Sequence, residues 1–241
     1  MNVLIVLGHP ERKSFNGALK ERAAEVLAKA GHGVRVSDLY AMGFEARLDR
    51  ADVTTARDPA FFHPIREQAH AWKQDSFAAD IKGEIEKLTW MDLLIIQCPV
   101  WWFGLPAVVK GWLDRVFVPG FTYGRGKWYE AGGLAGKRAL LSMTVDATPR
   151  SYGPRGRYGR MDVVLWPILE SLRFVGLDVL EPHVAYEVSN SAEGRTLMLE
   201  RYGARLAAIG GERPVFFHPL EDYDDDVLKP GVAPGPFAQR D

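Results

Sequence analysis

Cysteine is almost absent from this chain of 241 residues, in which Cys98 is the single thiol. One cysteine cannot form an internal disulfide, so no disulfide framework holds the fold together. The N-terminus also lacks the charged segment that precedes the apolar core of a secretory signal peptide. Both features favour a reducing compartment, and we expect a cytoplasmic protein.

Long apolar runs and an excess of charge of one sign are missing as well. The most apolar stretch, residues 93–109, is interrupted by Gln97, Pro99, Gly104 and Pro106, whereas a membrane helix needs about 20 mostly apolar residues. Lys and Arg total 30 against 31 Asp and Glu, a formal charge of −1. We therefore expect no membrane insertion and no strong binding of nucleic acid.

Several common site motifs are absent. The turn after residues 2–7 has one glycine, Gly8, instead of Gly-x-Gly-x-x-Gly, and the chain has neither a P-loop nor a Gly-x-Ser-x-Gly turn. His63 and His70 have no carboxylate in a ligand pattern. The acidic residues 222–226 lack the glycine and glutamate of a calcium loop. We expect no metal site.

The chain does contain alternating strand and helix patterns. Apolar runs such as residues 2–7 are typical of parallel strands buried on both faces. Their alternation with helices predicts an α/β, doubly wound, five-stranded parallel sheet with helices on both faces; without the glycine fingerprint, the flavodoxin-like order 2-1-3-4-5 is favoured. The predicted strands are residues 2–7, 34–36, 93–96, 139–143 and 177–180, and the predicted helices are residues 15–30, 77–89, 105–117, 161–174 and 192–209.

The domain organisation follows from these patterns. We assign residues 1–220 to a single domain of the flavodoxin-like type and residues 221–241 to an acidic tail rich in proline and glycine. Residues 40–60 form an unusually long connection, which is typical of a functional loop or of a segment that wraps around a partner subunit.

Ligands of this sheet order bind at the carboxyl ends of strands 1 and 3. The loop after strand 1 ends in Ser14-Phe15-Asn16 at a helix start, where unpaired N–H groups and partial positive charge favour a phosphate. His9 offers a further donor. The alternative is that Ser14 is only a helix cap and Asn16 an ordinary first-turn residue.

The loop after strand 3 is aromatic, with Trp101, Trp102 and Phe103 in sequence. An exposed aromatic cluster is typical of a binding surface, and it suits a flat ring such as isoalloxazine. Gly104 would let the backbone approach such a ring closely. Alternatively, the tryptophans anchor a helix or a dimer interface.

The loop after strand 4 combines Tyr152 and Tyr158 with arginines. Tyrosine hydroxyls can donate hydrogen bonds to a carbonyl oxygen that is being reduced or to an anionic flavin. The arginines belong either to a solvated loop or to a site for a nucleotide phosphate. They are Arg150, Arg155, Arg157 and Arg160.

In this order and spacing, the segments resemble the NAD(P)H:quinone oxidoreductase (DT-diaphorase) family of flavodoxin-like flavoproteins over residues 2–220. The resemblance rests on residues 9–16 (HPERKSFN), 38–42 (DLYAM), 99–107 (PVWWFGLPA), 110–112 (KGW), 164–167 (VLWP) and 180–182 (LEP).

This resemblance implies an enzyme that passes a hydride from NAD(P)H through flavin N5 to a quinone, in a two-electron ping-pong reaction. It also implies a homodimer with one flavin per subunit, FAD in the animal-type members, with FMN as the alternative. By matching positions, the flavin-binding residues would be His9, Ser14, Phe15, Asn16, Pro99, Val100, Trp102, Phe103, Thr144 and Arg195.

The same resemblance assigns the active-site pocket. Tyr152 falls on the family's active-site tyrosine, and Tyr123 and Trp128 lie in the loop that closes the pocket from the partner subunit. The family's active-site histidine falls on Tyr158, which is neutral near pH 7 and cannot supply an imidazolium charge. Asp146 departs from the family's Thr-Thr-Gly-Gly loop, where a carboxylate would repel an anionic ring.

Two further functions remain open from the sequence. Some relatives are flavoprotein regulatory subunits of membrane ion-efflux systems, and a simple electron-carrier flavodoxin would share the fold. Azo or nitro compounds are alternative acceptors for the same enzyme.

Overall fold

The central element is a parallel sheet, seen in a computed structural model that describes residues 1–235. Its strands are β1 (Asn2–Leu7), β2 (Gly33–Asp38), β3 (Leu93–Pro99), β4 (Arg138–Thr144), β5 (Asp178–Val179) and β6 (His183–Ala185). The helices are α1 (Phe15–Lys29), α2 (Pro64–Gln74), α3 (Ala79–Trp90), α4 (Ala107–Val116), α5 (Met161–Phe174) and α6 (Ala192–Ala207).

The strand order is β2-β1-β3-β4-β5, and all of its pairs are parallel. Alternate side chains of β3 point to opposite faces, as the period of a strand requires. Leu94 and Ile96 pack in a core with α3, α4 and α5, while Leu93 and Ile95 pack in a second core with α1 and α6. The predicted order and the helices on both faces are confirmed.

The edge strand departs from the single segment predicted at residues 177–180. Both β5 and β6 pair with β4, Ala139 lying opposite Val179 and Ser142 opposite His183. The edge strand therefore has one residue more than β4 between these pairs, which is a bulge. Pro182 lies in this interval and has no N–H to donate to the ladder.

The long connection after β2 is held against the helices by a buried arginine. Arg115 of α4 is 3% exposed and bonds to Asp52 at 3.0 Å, to Asp80 at 2.8 Å and to the carbonyl oxygen of Glu45 at 2.9 Å. Burial raises the pKa of Asp52, and the Arg115 guanidinium opposes that rise. Helix α2, which follows this connection, is absent from the sequence prediction.

The tail begins with an ordered turn. Residues 220–222 form a short 3-10 helix, followed by a hairpin of β7 (Tyr223–Asp224) and β8 (Val227–Leu228). The division into a domain of residues 1–220 and a tail stays a prediction, and residues 236–241 of that tail lie outside the described residues.

None of the helices in residues 1–235 combines the length and apolar character needed to span a bilayer. Nowhere in the same residues do three His, Cys, Asp or Glu side chains come together as metal ligands would.

Candidate functional site

Three loops meet at the carboxyl edge of the sheet, because β1, β3 and β4 are parallel neighbours. The backbone N–H of Gly8 donates to the Gln97 carbonyl at 2.9 Å, and that of Val100 donates to the Thr144 carbonyl at 3.0 Å. These bonds extend the strand pairing by one residue beyond the strands, so the loops that follow β1, β3 and β4 begin side by side. The predicted residues after β1, β3 and β4 therefore share one edge.

The start of α1 forms the first wall of the site. Ser14 caps the helix and accepts a hydrogen bond from the Gly17 N–H at 3.2 Å, as predicted. Among residues 1–235, the N–H groups of Phe15 and Asn16 find no acceptor. His9 Nδ1 lies 3.0 Å from the N–H of Glu11, which stabilises the turn before the helix. Two free donors at a helix start suit an anion.

The side chain of Asn16 is buried beneath this helix start rather than exposed in the crevice. It is 4% exposed; its oxygen accepts from Gln97 Nε2 at 2.9 Å, and its Nδ2 donates to the Thr144 hydroxyl at 2.9 Å. A contact from Asn16 to a phosphate would therefore use its backbone N–H. The side chain joins α1 to β3 and β4.

The β3–α4 loop is a tight turn with an unusual backbone. Trp101 and Gly104 exchange two backbone hydrogen bonds of 3.0 Å, and the residues between them, Trp102 and Phe103, have φ of 52° and 59°. Left-handed backbone is uncommon for bulky residues and costs about 1 kcal/mol or more each. Trp102 is nevertheless 97% exposed and Phe103 51%. Strained residues that remain largely exposed indicate a surface that contacts a ligand or a partner.

Tyr152 and Tyr158 of the β4–α5 loop form an aromatic cluster with Phe103 of the β3–α4 turn and with Tyr186, which follows β6. The ring of Tyr158 lies 5.9 Å from that of Phe103 and 5.3 Å from that of Tyr152, and the Tyr152 and Tyr186 rings are 6.3 Å apart. The predicted catalytic tyrosines are thus in contact with each other and with the strained turn.

The phenols of Tyr152 and Tyr186 stay protonated at neutral pH. Burial raises the pKa of Tyr152, and neighbouring Tyr158 adds to that rise. Burial likewise raises the pKa of Tyr186, with Tyr152 as a further cause. Arg157 donates from Nη2 to the Tyr158 hydroxyl oxygen at 2.8 Å, and its guanidinium lies 4.8 Å from the centre of the same ring. The site therefore combines phenol donors with an adjacent positive charge.

Asp146, which replaces a residue of the family's Thr-Thr-Gly-Gly loop after β4, accepts hydrogen bonds from a neighbouring loop. The backbone N–H of Ser189 donates to its Oδ1 at 3.0 Å, and the Ser189 hydroxyl donates to the same oxygen. These bonds hold the pKa of Asp146 below its usual value. In the described chain, the backbone N–H groups of Asp146 and Ala147 have no acceptor and remain available to a ligand.

Arg195 lies in the first turn of α6, which begins at the same edge of the sheet as α1. Its Nη1 donates to the Val188 carbonyl at 3.2 Å, which positions the half-buried side chain. Phe15 and Val188 pack against the same core. This placement is compatible with a contact to the far end of a ligand whose phosphate lies at α1.

Tyr123 and Trp128 lie at the opposite edge of the subunit. The Tyr123 ring packs 5.8 Å from that of Phe174, the last residue of α5, whereas α5 begins at the crevice. A helix of 14 residues is about 21 Å long. Tyr123 instead lines a groove of about 510 Å³ between α2, α4 and α5. A role for these two residues in the pocket stays a prediction, and it requires a second subunit.

Three contributors to the site are not among the site residues that the sequence predicts: Gln97, Arg157 and Tyr186. Gln97 carried a signal, because a polar residue inside the buried run of β3 needs a partner. Tyr186 follows the edge strand at the carboxyl edge, where a ligand is expected. Arg157 was only one of several loop arginines, and nothing in the sequence pairs it with Tyr158.

The comparisons with known proteins agree with this fold. The sequence profile of the Flavodoxin_2 family, which has the flavodoxin-like fold, matches residues 1–208. NAD(P)H dehydrogenase (quinone) 1 of Cavia porcellus is 42% identical over 224 residues, covering 92% of this chain and 82% of that protein. The ribosyldihydronicotinamide dehydrogenase (quinone) of Homo sapiens is 42% identical over 217 residues, covering 88% and 94%.

A solved structure gives the same result. A protein from Klebsiella pneumoniae, described as a candidate quinone reductase, has a TM-score of 0.93 and 38% identity, and the match covers 98% of this chain and 96% of that one. The chain therefore belongs to the flavodoxin-like family. Within it, the chain groups with the NAD(P)H quinone dehydrogenases, so the resemblance found in the motifs is confirmed.

Proposed function

We propose that this protein is a flavin-dependent oxidoreductase that uses NAD(P)H to reduce quinones. The observation that supports this most directly is the exposed, strained turn at Trp102 and Phe103, beside the unpaired N–H groups that open α1. One surface suits a flat aromatic ring, and the other suits its phosphate. The names of the relatives supply the donor and the acceptor.

The residues at the sheet edge fit a flavin nucleotide. The N–H groups of Phe15 and Asn16 would bind the phosphate, Trp102 and Phe103 would lie against the ring, and the free N–H groups of residues 146–147 would meet its polar edge. When bound, the flavin supplies a ring that takes a hydride from NAD(P)H at N5 and passes it to the quinone. Arg195 favours FAD over FMN, because its position at the start of α6 suits the adenosine half.

The phenols stabilise the charge that develops during transfer. Tyr158 accepts a hydrogen bond from the Arg157 guanidinium, so its own O–H proton is directed elsewhere, towards the ring or the quinone oxygen. A hydroxyl that accepts from a cation is also a stronger donor. Tyr152, packed on Tyr158, supplies a second donor.

The protein works as a homodimer in this proposal. Tyr123 and Trp128 lie too far along the subunit to reach the crevice of their own chain. The groove beside Tyr123 is open and largely apolar, and Ile65 on its rim is 54% exposed. A second copy seated there would bury these side chains and place its own loop at the pocket. The reducing cytoplasm is the proposed compartment.

The test is a purification followed by two measurements. The purified protein should be yellow, should release FAD on heating, and should oxidise NADH or NADPH when a quinone is present. Colourless protein that rejects both added FAD and added FMN would exclude this function. Release of FMN instead would remove Arg195 from the cofactor site while leaving the chemistry in place.

A further inference from the structure

The loop that contains the catalytic tyrosines has a strong local charge. Residues 147–161 include four arginines and no acidic residue, in a chain whose formal charge is only −1. Neither flanking carboxylate forms an ion pair with Arg150, Arg155 or Arg157. Asp146 accepts a hydrogen bond from the Ser189 N–H, and Asp162 pairs with Arg160 at 2.8 Å. Three exposed arginines therefore keep a positive charge that no carboxylate in residues 1–235 neutralises: Arg150, Arg155 and Arg157.

This loop is compact, so its arginines belong to one small surface. The Tyr158 N–H donates to the Ser151 carbonyl at 3.1 Å, which closes the loop on itself. A Cβ at Gly156 would lie 2.2 Å from that same carbonyl oxygen, so only glycine fits the closure. Arg150 and Arg155 stand on either side of this crossing point, and neither side chain has a hydrogen-bond or ion-pair partner among the described residues.

The charged surface borders the pocket. Arg157 bonds to Tyr158, and the Tyr158 ring contacts Phe103 in the strained turn. The arginine loop therefore lies beside the aromatic cluster, where a substrate would bind. Guanidinium groups recognise phosphate by paired hydrogen bonds, and their field draws anions from solution.

We infer that Arg150, Arg155 and Arg157 bind a phosphate group of the nicotinamide substrate and thereby determine which hydride donor the enzyme prefers. The inference rests on the proposed function and specifies the donor of that same site. The phosphate is either the pyrophosphate that NADH and NADPH share or the 2′-phosphate that only NADPH has. Both present the same chemistry to the loop, and a series of donors separates them.

The test measures kcat/KM of the holoenzyme at low salt with four donors and a saturating quinone. Reduced nicotinamide riboside has no phosphate, the reduced mononucleotide has one, NADH has the pyrophosphate and NADPH adds the 2′-phosphate. The variant is Arg150→Gln with Arg155→Gln, which leaves Arg157 on the catalytic Tyr158. We expect it to lower kcat/KM about 5- to 20-fold either for NADPH alone or for both NADH and NADPH, and to leave the riboside within about 2-fold.

Two further variants sharpen the comparison. Arg150→Lys with Arg155→Lys keeps the charge but not the planar fork, so we expect an intermediate loss. Arg213→Gln removes an exposed arginine beyond the end of α6, at the opposite edge of the sheet, and should change no donor. A loss confined to NADPH assigns the 2′-phosphate, and a loss that begins with NADH assigns the pyrophosphate. Equal losses for all four donors, or no loss for any, would overturn the inference.

Binding without turnover separates this inference from the proposed function. If the holoenzyme oxidises none of the four donors, the function fails, and calorimetry with NADP⁺, NAD⁺ and nicotinamide riboside then decides the role of the loop. Tighter binding of either dinucleotide than of the riboside, lost in the double glutamine variant, supports the arginine site. Equal affinities in both proteins would contradict it.

Discussion

Asn16 donates a hydrogen bond of 2.9 Å to the hydroxyl of Thr144, and this bond joins the first turn of α1 to the last residue of β4. Both side chains are buried, and Gln97 of β3 completes the connection by donating to Asn16. The three loops of the site are therefore positioned by one buried polar network. A shift of any one loop would leave polar groups unpaired.

The first prediction concerns this network. Asn16→Ala leaves the Gln97 amide and the Thr144 hydroxyl without their partner, which should cost about 1–3 kcal/mol of unfolding free energy. The flavin dissociation constant should also rise, because the start of α1 and the third loop lose their common anchor. Urea unfolding and flavin titration measure the two effects. Ser14→Ala is the matched control for the unfolding measurement, because it removes the helix cap and leaves the buried network intact.

The second prediction assigns the phenols to catalysis. Tyr152→Phe and Tyr158→Phe keep the rings but remove the donors, so quinone turnover should fall about 10-fold or more while flavin content stays near that of the unmodified protein. Tyr186→Phe keeps the ring that packs against Tyr152 and should lower quinone turnover less than the other two substitutions. Steady-state rates on several quinones are the measurement. Unchanged rates would remove these hydroxyls from the mechanism.

The third prediction tests the strained turn. Replacing Trp102 and Phe103 by Asn and Gly gives residues that favour left-handed backbone, so the flavin-free protein should gain about 1–2 kcal/mol of stability. Flavin affinity should fall, because the exposed rings are gone. Thermal unfolding of the flavin-free protein and flavin titration report on the two changes. A variant that is less stable and binds flavin normally would show that the turn serves packing alone.

The fourth prediction concerns pH and His183. Burial lowers the pKa of His183 to about 4, and the charge of Arg205 adds to that effect. In the unfolded chain the histidine takes up a proton near pH 6.5, whereas in the folded protein it does so only near pH 4. The contribution of this group to the free energy of unfolding is therefore fully present above about pH 6.5. It falls as the pH is lowered towards 4, by about 3 kcal/mol at most.

Urea unfolding of the flavin-free protein between pH 7 and 4.5 measures this slope. His183→Phe preserves a ring against Tyr202, whose centre lies 4.4 Å from that of His183, and should flatten the slope. Tyr202→Phe keeps the histidine and should leave most of the slope in place. The same slope in His183→Phe and the unmodified protein would place the titrating group elsewhere.

The sequence predicts the frame of this site better than its contacts. The apolar runs of β1, β3 and β4 define the sheet and, with the missing glycine fingerprint, its order; the loops that hold Ser14, Trp102 and Tyr158 must then share one edge. The edge bulge at Pro182 and the pairing of Arg157 with Tyr158 depend on register and loop closure. The sequence pattern predicts neither the register of the edge strand nor the closure of the loop, because both depend on chain segments that come together only in the folded protein.

The last prediction uses the distance between Tyr123 and the crevice. If each pocket takes its closing loop from the other subunit, a chain with Tyr123→Ala and Trp128→Ala and a chain with Tyr158→Phe have complementary defects. Each mixed dimer then contains one pocket with both defects and one pocket with none. Random mixing gives about half mixed dimers, so the mixture should recover about a quarter of the unmodified activity. If the loop served its own chain, every pocket in the mixture would be defective, and the activity would equal the mean of the two parents.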